Sequence, residues 1–328
     1  MLQWWVVPGP DGGVLEARTV DVSSPGEGEA LIAVRGAGIN RGELIGRPLL
    51  RDDNPKARPF PSGIEFAGEI VAVGPGLTSW APGDRVMGRG QACHSEYTIA
   101  PLDSLMAIPG HLTTTEAAAI PNVFVTAHDA LVTTARTGPT DRVLITAGSS
   151  GVGSAALQIA RYLGCRTVVA TTRSPAKARQ LELLGATMVA DTNEPDWVGR
   201  LGDTGGFDVV IDQVGAPLFG CVLQAMALKG RYVSVGRTGG KSAAVDLDLV
   251  ARKRLELIGV TFRTRTRAEA LACSKRFAER LLPAFESGQL APVLDRTFPL
   301  DALPDAQQYM ASDDHVGKVV LATTTQAI

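Results

Sequence analysis

The stretch "RVLITAGSSGVGSAALQIARYLGCRTVVAT", residues 142–171, decides the fold of this chain. Its first six residues are a continuous apolar-type run, as expected of a parallel strand buried on both faces. A turn of glycine and serine follows, then the helix "GSAALQIARYLG", then a second strand, "RTVVAT" (166–171). Strand, glycine turn, helix and strand together are the setting of a dinucleotide-binding turn. In that setting Gly148 allows the sharp exit from the strand, Gly151 lets backbone approach phosphate oxygens, and Gly153 lets the helix pack closely. The helix N-terminus adds unpaired N–H groups and a partial positive charge. Ser149, Ser150, Gly151 and Val152 are thus the expected pyrophosphate cradle, with both serine hydroxyls as donors. The plainer alternative is a glycine-rich turn that binds nothing.

Other uses of such a turn do not fit. A nucleophile elbow needs Gly-x-Ser-x-Gly, but two residues after Ser150 stands Val152. A P-loop needs lysine after its last glycine, and Gly153 is followed by Ser154. The turn of short-chain dehydrogenases looks similar, but that family pairs it with Tyr-x-x-x-Lys. Four residues after Tyr97, Tyr162, Tyr232 and Tyr309 stand Pro101, Arg166, Gly236 and Asp313.

Outward from the turn, a helix is expected over 175–185, and "TMVAD", "FDVVIDQVG" and "GRYVSVG" read as further strands. This alternation predicts an α/β doubly wound parallel sheet. The first third is β-rich instead. "EALIAVRGAGI" (29–39), "FAGEIVAVG" (66–74), "DRVMG" (84–88) and "SEYTIA" (95–100) are short runs punctuated by Gly and Pro, which suggests a barrel or sandwich. "TTTEAAAIPNVFVTAHDALV" (113–132) turns helical, with Thr115 as the expected N-cap, a break at Pro121, and a second helix over Thr126–Val132. Past residue 263 the chain reads as mostly helical and closes on the strand "GKVVLAT".

A length of 328 residues favours two domains over one core. The net charge of −2 and the absence of a basic stripe argue against nucleic acid. No run of 18 apolar residues exists to span a membrane, and the N-terminus has no positively charged leader pattern, so a cytoplasmic protein is expected. Cys93, Cys165, Cys221 and Cys273 are scattered, with no CxxC pair, and read as reduced thiols.

NAD-binding sheets usually carry Asp or Glu at the end of the second strand, to hold the ribose 2′-hydroxyl. Here that place reads "ATTRSPAK" (170–177), without a carboxylate. Arg173, Ser174 and Lys177 offer two cations and a hydroxyl, which suit a 2′-phosphate. NADP(H) is therefore the expected cofactor, unless Arg173 and Lys177 are only solvated charges at a helix start.

Several segments, in order along nearly the whole chain, resemble the medium-chain dehydrogenase/reductase superfamily, and within it the zinc-independent, zeta-crystallin-type quinone oxidoreductases. They are "GAGINRGEL", "PSGIEFAGEIVAVG" with "APGDRVMG", "HSEYTIAP" with "IPNVFVTAHDAL", "KRLELIGVTFRTRT" and "HVGKVVL". The resemblance implies a GroES-like catalytic domain (1–121 and 263–328) around an inserted Rossmann domain (122–262), with the cofactor in the cleft between them. It also implies a homodimer joined through the edge strand 255–262. It places Asn40 and Thr126 at the nicotinamide and the reacting atom. Val214 and Gly215, then Val235 and Gly236, would form loops along the cofactor, with Phe262 and Arg263 at its nicotinamide half and Lys318 near the cleft.

Zinc-dependent relatives have Cys near position 41 and His near 64, where this chain has Arg41 and Ile64. Glu65, Cys93 and His94 are not in ligand spacing, and Cys93–His94 reads as a surface pair. No metal is expected, hence no Lewis acid for alcohol chemistry. The implied function is NADPH-dependent reduction of a quinone without zinc or flavin. The alternative is an enone or enoyl-thioester reductase, and a third reading is an NADPH-binding sensor without turnover. Many such quinone reductases have a tyrosine after the Asn motif. "RPLLRDDNPKARPFPS" has none, so no general acid is visible.

Overall fold

The protein, described here from a computed structural model, is defined over residues 1–44, 50–201 and 205–323. It divides into two compact units. The first comprises Met1–Asn122, Ser274–Glu286 and Pro292–Ile328; the second comprises Val123–Cys273 and Ser287–Ala291.

The first unit opens with a hairpin of β1 (Leu2–Gly9) and β2 (Gly12–Thr19). Next comes β3 (Glu29–Gly38), whose residues from Ala30 to Val34 are all buried. A single helical turn, α1 (Arg41–Leu44), leads on to β4 (Phe60–Pro61), which pairs with β1. β5 (Glu65–Val73), β6 (Arg85–Arg89), β7 (Tyr97–Pro101) and β8 (Met106–Ala107) complete the N-terminal strands. β5 and β7 both pair antiparallel with β3. The short α2 (Thr114–Ala117) carries a capping box. Thr113, rather than the expected Thr115, accepts the Glu116 N–H, and the Glu116 carboxylate reaches back to the Thr113 N–H. Pro121 opens α3 (Pro121–His128), and a wider, π-helical stretch continues it over Asp129–Thr134. The second helix therefore starts at Pro121 rather than Thr126, because a proline ring is compatible with a first helical turn.

The second unit is a six-stranded parallel sheet. Its strands are β9 (Arg142–Ile145), β10 (Thr167–Thr172), β11 (Met188–Asp191), β12 (Phe207–Asp212), β13 (Met226–Ser234) and β14 (Glu256–Gly259). Helices α4 (Gly151–Tyr162), α5 (Ala178–Leu183), α6 (Ala216–Ala225) and α7 (Leu247–Lys253) connect them. The strand order is β11-β10-β9-β12-β13-β14, so the winding reverses between β9 and β12. Val143–Ile145, Val168–Ala170 and Val209–Ile211 have no exposure, which is the signature of strands covered on both faces. In such sheets ligands bind beyond the carboxyl ends of the strands at the reversal.

The chain then runs through α8 (Arg267–Glu286), β15 (Leu294–Pro299), α9 (Leu303–Ala311) and β16 (Lys318–Ala322). β16 pairs with β3 and completes the first unit's sheet in the order β15-β16-β3-β5-β6-β8. Its core gathers Ile32, Val34, Phe66, Val86, Leu303 and Leu321 around the β3 centre. Among the described residues no helix is long and apolar enough to cross a membrane.

Candidate functional site

In the second unit the glycine turn lies at the carboxyl end of β9, beside the sheet reversal. The left-handed residue at the strand exit is Ala147 (φ 50°), not Gly148. Gly148 is needed for closeness: a Cβ there would stand 2.9 Å from the Ala170 side chain on β10. Gly153 serves the turn in the same way, since a Cβ on it would come within 2.3 Å of the Ala147 carbonyl oxygen. Ser150 is the N-cap of α4. Its hydroxyl accepts the Gly153 N–H at 3.0 Å and donates to Gln213 Oε1 at 2.8 Å. The Ser150 hydroxyl is thus committed inside the protein. Helix geometry leaves the N–H groups of Gly151 and Val152 without an intrahelical acceptor, which is what an anion would use.

Gln213 and Asp212 tie this turn to the neighbouring loops. The Gln213 side-chain amide donates to the Thr146 carbonyl at 2.9 Å. Thr146 Oγ1 donates to Asp212 Oδ1 at 2.6 Å. Asp212 also accepts the backbone N–H groups of Val214 and Gly215 and the Tyr232 hydroxyl. Burial, reinforced by the Asp212 charge, raises the Tyr232 pKa, so that hydroxyl stays a donor. The expected loops do come together. Val235 and Gly236 donate their N–H groups to the Asp212 carbonyl, and Gly239 donates to that of Val214. A Cβ on Gly215 would lie 2.5 Å from the Gly240 oxygen, and one on Gly236 would lie 2.5 Å from the Gln213 oxygen. Only glycine permits this backbone contact, and Gly215 also has φ +83°.

At the carboxyl end of β10, Arg173 is exposed and Lys177 half-buried, and no acid occurs from Thr171 to Arg179. The Thr172 hydroxyl accepts the Ser174 N–H at 3.0 Å and shapes this corner. Thr126 is buried on α3. Arg263 is exposed, while Phe262 lies under the Arg265 guanidinium at 4.7 Å. Arg265 in turn pairs with the buried Asp129 at 2.5 Å, a contact the sequence did not announce.

The first unit holds a separate buried cluster around Asn40, at the end of β3. Asn40 Nδ2 donates to Glu65 Oε1 at 2.8 Å and to Glu43 Oε2 at 3.2 Å. Asn40 Oδ1 accepts from Asn122 Nδ2 at 2.8 Å and from Lys318 Nζ at 2.9 Å. Its amide is therefore saturated. Lys318 is 2% exposed, and its three acceptors are Ile39 O, Asn40 Oδ1 and Glu65 Oε1. An ammonium has three hydrogens, so Lys318 has none left for a cofactor and acts here as an anchor. Glu65, fully buried, also accepts the Asn122 N–H at 2.7 Å. Glu43 and Asn122 are members that sequence reasoning missed, and Glu65 was weighed there only as a metal ligand. The one available signal was an acid embedded in the apolar run "GIEFAG".

Cys93 and His94 are not a surface pair: both are fully buried, under β1 and the Ser62–Gly63 corner. Burial pushes the Cys93 thiol pKa well up, and the Glu43 and Glu65 charges add to that. Among the described residues no group of three or more His, Cys, Asp or Glu is placed to hold a metal ion. The tyrosine-free segment after Asn40 lies partly outside the described residues, at 47–49.

Comparison with known proteins agrees with this architecture. The zinc-binding dehydrogenase family model matches residues 151–276, and the alcohol dehydrogenase GroES-like domain model matches residues 26–134. Spectinabilin polyketide synthase system protein NorB of Streptomyces orinoci is 33% identical over 97% of this chain. The chain spans only 14% of that protein, and 5% and 8% of two other Streptomyces polyketide synthases. Quinone oxidoreductase-like protein 2 of Bos taurus is 31% identical over 80% of this chain and 76% of its own length. A mycobacterial protein solved in complex with NADPH superposes with a TM-score of 0.86 at 28% identity, covering 98% of this chain and 99% of that one. The CurK enoyl reductase does so with a TM-score of 0.84, the same identity and the same coverage. With both family models matched in chain order, and a quinone oxidoreductase-like relative aligned over most of its length, the chain belongs to the medium-chain dehydrogenase/reductase superfamily of oxidoreductases, among its quinone oxidoreductase-type members.

Proposed function

We propose that this protein reduces a small conjugated carbonyl acceptor, a quinone in the first reading, using NADPH and neither zinc nor flavin. When bound, NADPH supplies the hydride. The glycine cradle fits a dinucleotide: the loops at Gly215 and Gly236 and the turn at Gly148 and Gly153 leave no room for a Cβ, and the first N–H groups of α4 are free of helical partners. Ser149, Gly151 and Val152 then hold the pyrophosphate, with Ser150 fixing the helix start. Arg173, Ser174 and Lys177 hold the 2′-phosphate. In this proposal Thr126 faces the nicotinamide and the reacting atom, and Phe262 and Arg263 flank the nicotinamide half of the cofactor.

The observation that carries the choice of acceptor is the saturated cluster around Asn40. Amides, Lys318 and Glu65 satisfy one another there, and that donor set does not suit a metal. Without a Lewis acid to polarise an alcohol, hydride transfer suits an acceptor that is already electrophilic. Asn40 is accordingly a positioning residue at the end of β3. An asparagine that only closed a turn on its own backbone would not have these side-chain partners.

A second reading, reduction of an enoyl thioester, is favoured by the polyketide synthase relatives and by the enoyl reductase structure. A cytoplasmic homodimer through β14 belongs to the proposal: β14 is the sheet edge, and Leu257 on it is 42% exposed.

The test follows NADPH oxidation by purified protein with quinones, enones and enoyl thioesters, with NADH and added chelator as controls. Chelator-insensitive turnover of quinones supports the first reading. Turnover confined to thioesters transfers the function to the second. Tight NADPH binding without oxidation by any acceptor overturns both.

A further inference from the structure

A cavity of about 330 Å³ lies within the first unit, lined by Val6, Glu43, Phe60, Pro61, Ser62, Gly63, Ile64 and Gln91. Its size is at the lower end for small-molecule sites, and half of its lining residues are apolar. One hydroxyl on its wall stands apart from the rest. Ser62 is 4% exposed, and its Oγ lies 2.9 Å from Nδ1 of His94, which has no exposure. Among the described residues Ser62 Oγ has no other hydrogen bond.

The direction of that bond follows from the other ring nitrogen. Nε2 of His94 is sealed from solvent and has no partner among the described residues. A buried N–H with nothing to donate to is the rarer and more unfavourable orphan, compared with a buried lone pair. The tautomer that avoids this orphan carries the ring hydrogen on Nδ1, which then donates to Ser62 Oγ. The serine's own hydrogen is then turned away from the histidine, with no acceptor among the described residues. By accepting from the imidazole N–H, the hydroxyl also becomes a better donor.

The pair is held rigidly. Ser62 donates its N–H to the Trp4 carbonyl at 2.8 Å, and its carbonyl accepts the His94 N–H at 3.0 Å. Gly63, at φ +98°, lies so close to His94 that a Cβ there would stand 2.2 Å from its backbone nitrogen. Such fixed donors stabilise charge without reorganising when it develops.

We propose that this cavity binds a neutral conjugated carbonyl compound and that the Ser62 hydroxyl, oriented by His94, donates a hydrogen bond to its carbonyl oxygen. Neutrality follows from the Glu43 carboxylate on the wall, which disfavours an anion. This deepens the reductase reading and rests on it for the chemistry. Were hydride delivered from NADPH to the far carbon of the conjugated system, the electron pair would move onto the carbonyl oxygen, where the Ser62 hydrogen bond would meet the developing charge. A proton from water would then complete the reduction.

The test uses 4-(dimethylamino)cinnamaldehyde, whose visible absorption moves to the red when its carbonyl accepts a hydrogen bond. The intact wild-type protein should bind it with a red shift that S62A loses while still binding. H94L should lose it too, and H94N should restore it, because the asparagine amide can donate from the place of Nδ1. In turnover, S62A should lower kcat for an enone by about 100-fold, as loss of one oxyanion donor does, with KM for NADPH unchanged. An identical spectrum in wild type and S62A, or no binding by wild type, overturns the inference. A red shift that depends on Ser62, together with no NADPH oxidation by any acceptor, leaves the donor standing and sinks the reductase reading instead.

Discussion

Ser150 and Gln213 are joined by a hydrogen bond of 2.8 Å that ties the first turn of α4 to the end of β12. The two residues lie 63 positions apart in the chain, on either side of the sheet reversal. Gln213 is held in turn by the Thr146 carbonyl and hydroxyl at the end of β9. The glycine turn is therefore braced from the opposite half of the sheet, not by its own glycines alone. Q213A removes the brace and leaves the Ser150 cap in place. KM for NADPH should rise about tenfold, worth about 1.4 kcal/mol, with kcat at saturating cofactor nearly unchanged. Steady-state kinetics with NADPH varied checks this, and an unchanged KM would show that the turn stands without Gln213.

Lys318 and Glu65 form a second long-range pair, 2.7 Å apart and both buried. Breaking a buried pair on one side strands the other charge, at about 3–5 kcal/mol, while replacing both members with apolar residues is often nearly neutral. K318M should therefore lower unfolding stability in urea by about that amount. The double variant K318M/E65L should recover at least half of the loss. If the double variant is as unstable as the single one, the lost energy is packing or the Asn40 and Asn122 hydrogen bonds, not the stranded charge.

These two pairs mark where the sequence could be read. The second unit was legible because apolar strands buried on both faces, glycine turns and helical periods are local patterns, and β9, α4 and β10 fall within a residue or two of their expected limits. The capping box was missed by two residues, since Thr113, Thr114 and Thr115 look alike until the Glu116 carboxylate selects one. The opening hairpin β1–β2 was not read as strands, because Pro8 and a run of glycines interrupt its alternation. In the candidate site, the clustering of Val214–Gly215 with Val235–Gly236 came from family resemblance. The partners of Asn40 did not: Lys318 lies 278 residues away, and nothing local to either residue specifies the pairing. Cys93 and His94 were misplaced on the surface for the same reason, as their burial is imposed by β1 and Ser62.

Cys165 gives a prediction in pH. Burial first, then the Asp141 charge, push its thiol pKa from the ordinary 9.0 up to about 11. Above pH 9 the unfolded chain loses this proton, while the native state keeps it until about pH 11. The native state then holds more protons, so stability is fully present below pH 9 and falls as pH rises towards 11. Urea unfolding at intervals across pH 8–11 should show this decline, and C165A should show a flatter one. Equal slopes in the two proteins would place the alkaline loss in other groups.

Arg173 offers the sharpest test of the cofactor. Arg173, with Ser174 and Lys177, follows the carboxyl end of β10, and no acid occurs from Thr171 to Arg179. A hydrogen bond to a charged group is worth about 1.5–3 kcal/mol, so losing Arg173 should reduce kcat/KM for NADPH by about 10–100-fold. NADH has no 2′-phosphate, and its kcat/KM should stay within about two- to threefold by the same reasoning. R173A, followed by R173A/K177A, would therefore move the NADPH to NADH preference stepwise towards unity. The plainer alternative, that both cations are merely solvated residues at a helix start, requires the two cofactors to respond alike. Measuring both nucleotides on the same protein preparation separates these outcomes, because a general loss of folding lowers both rates together while loss of the phosphate contact lowers only one.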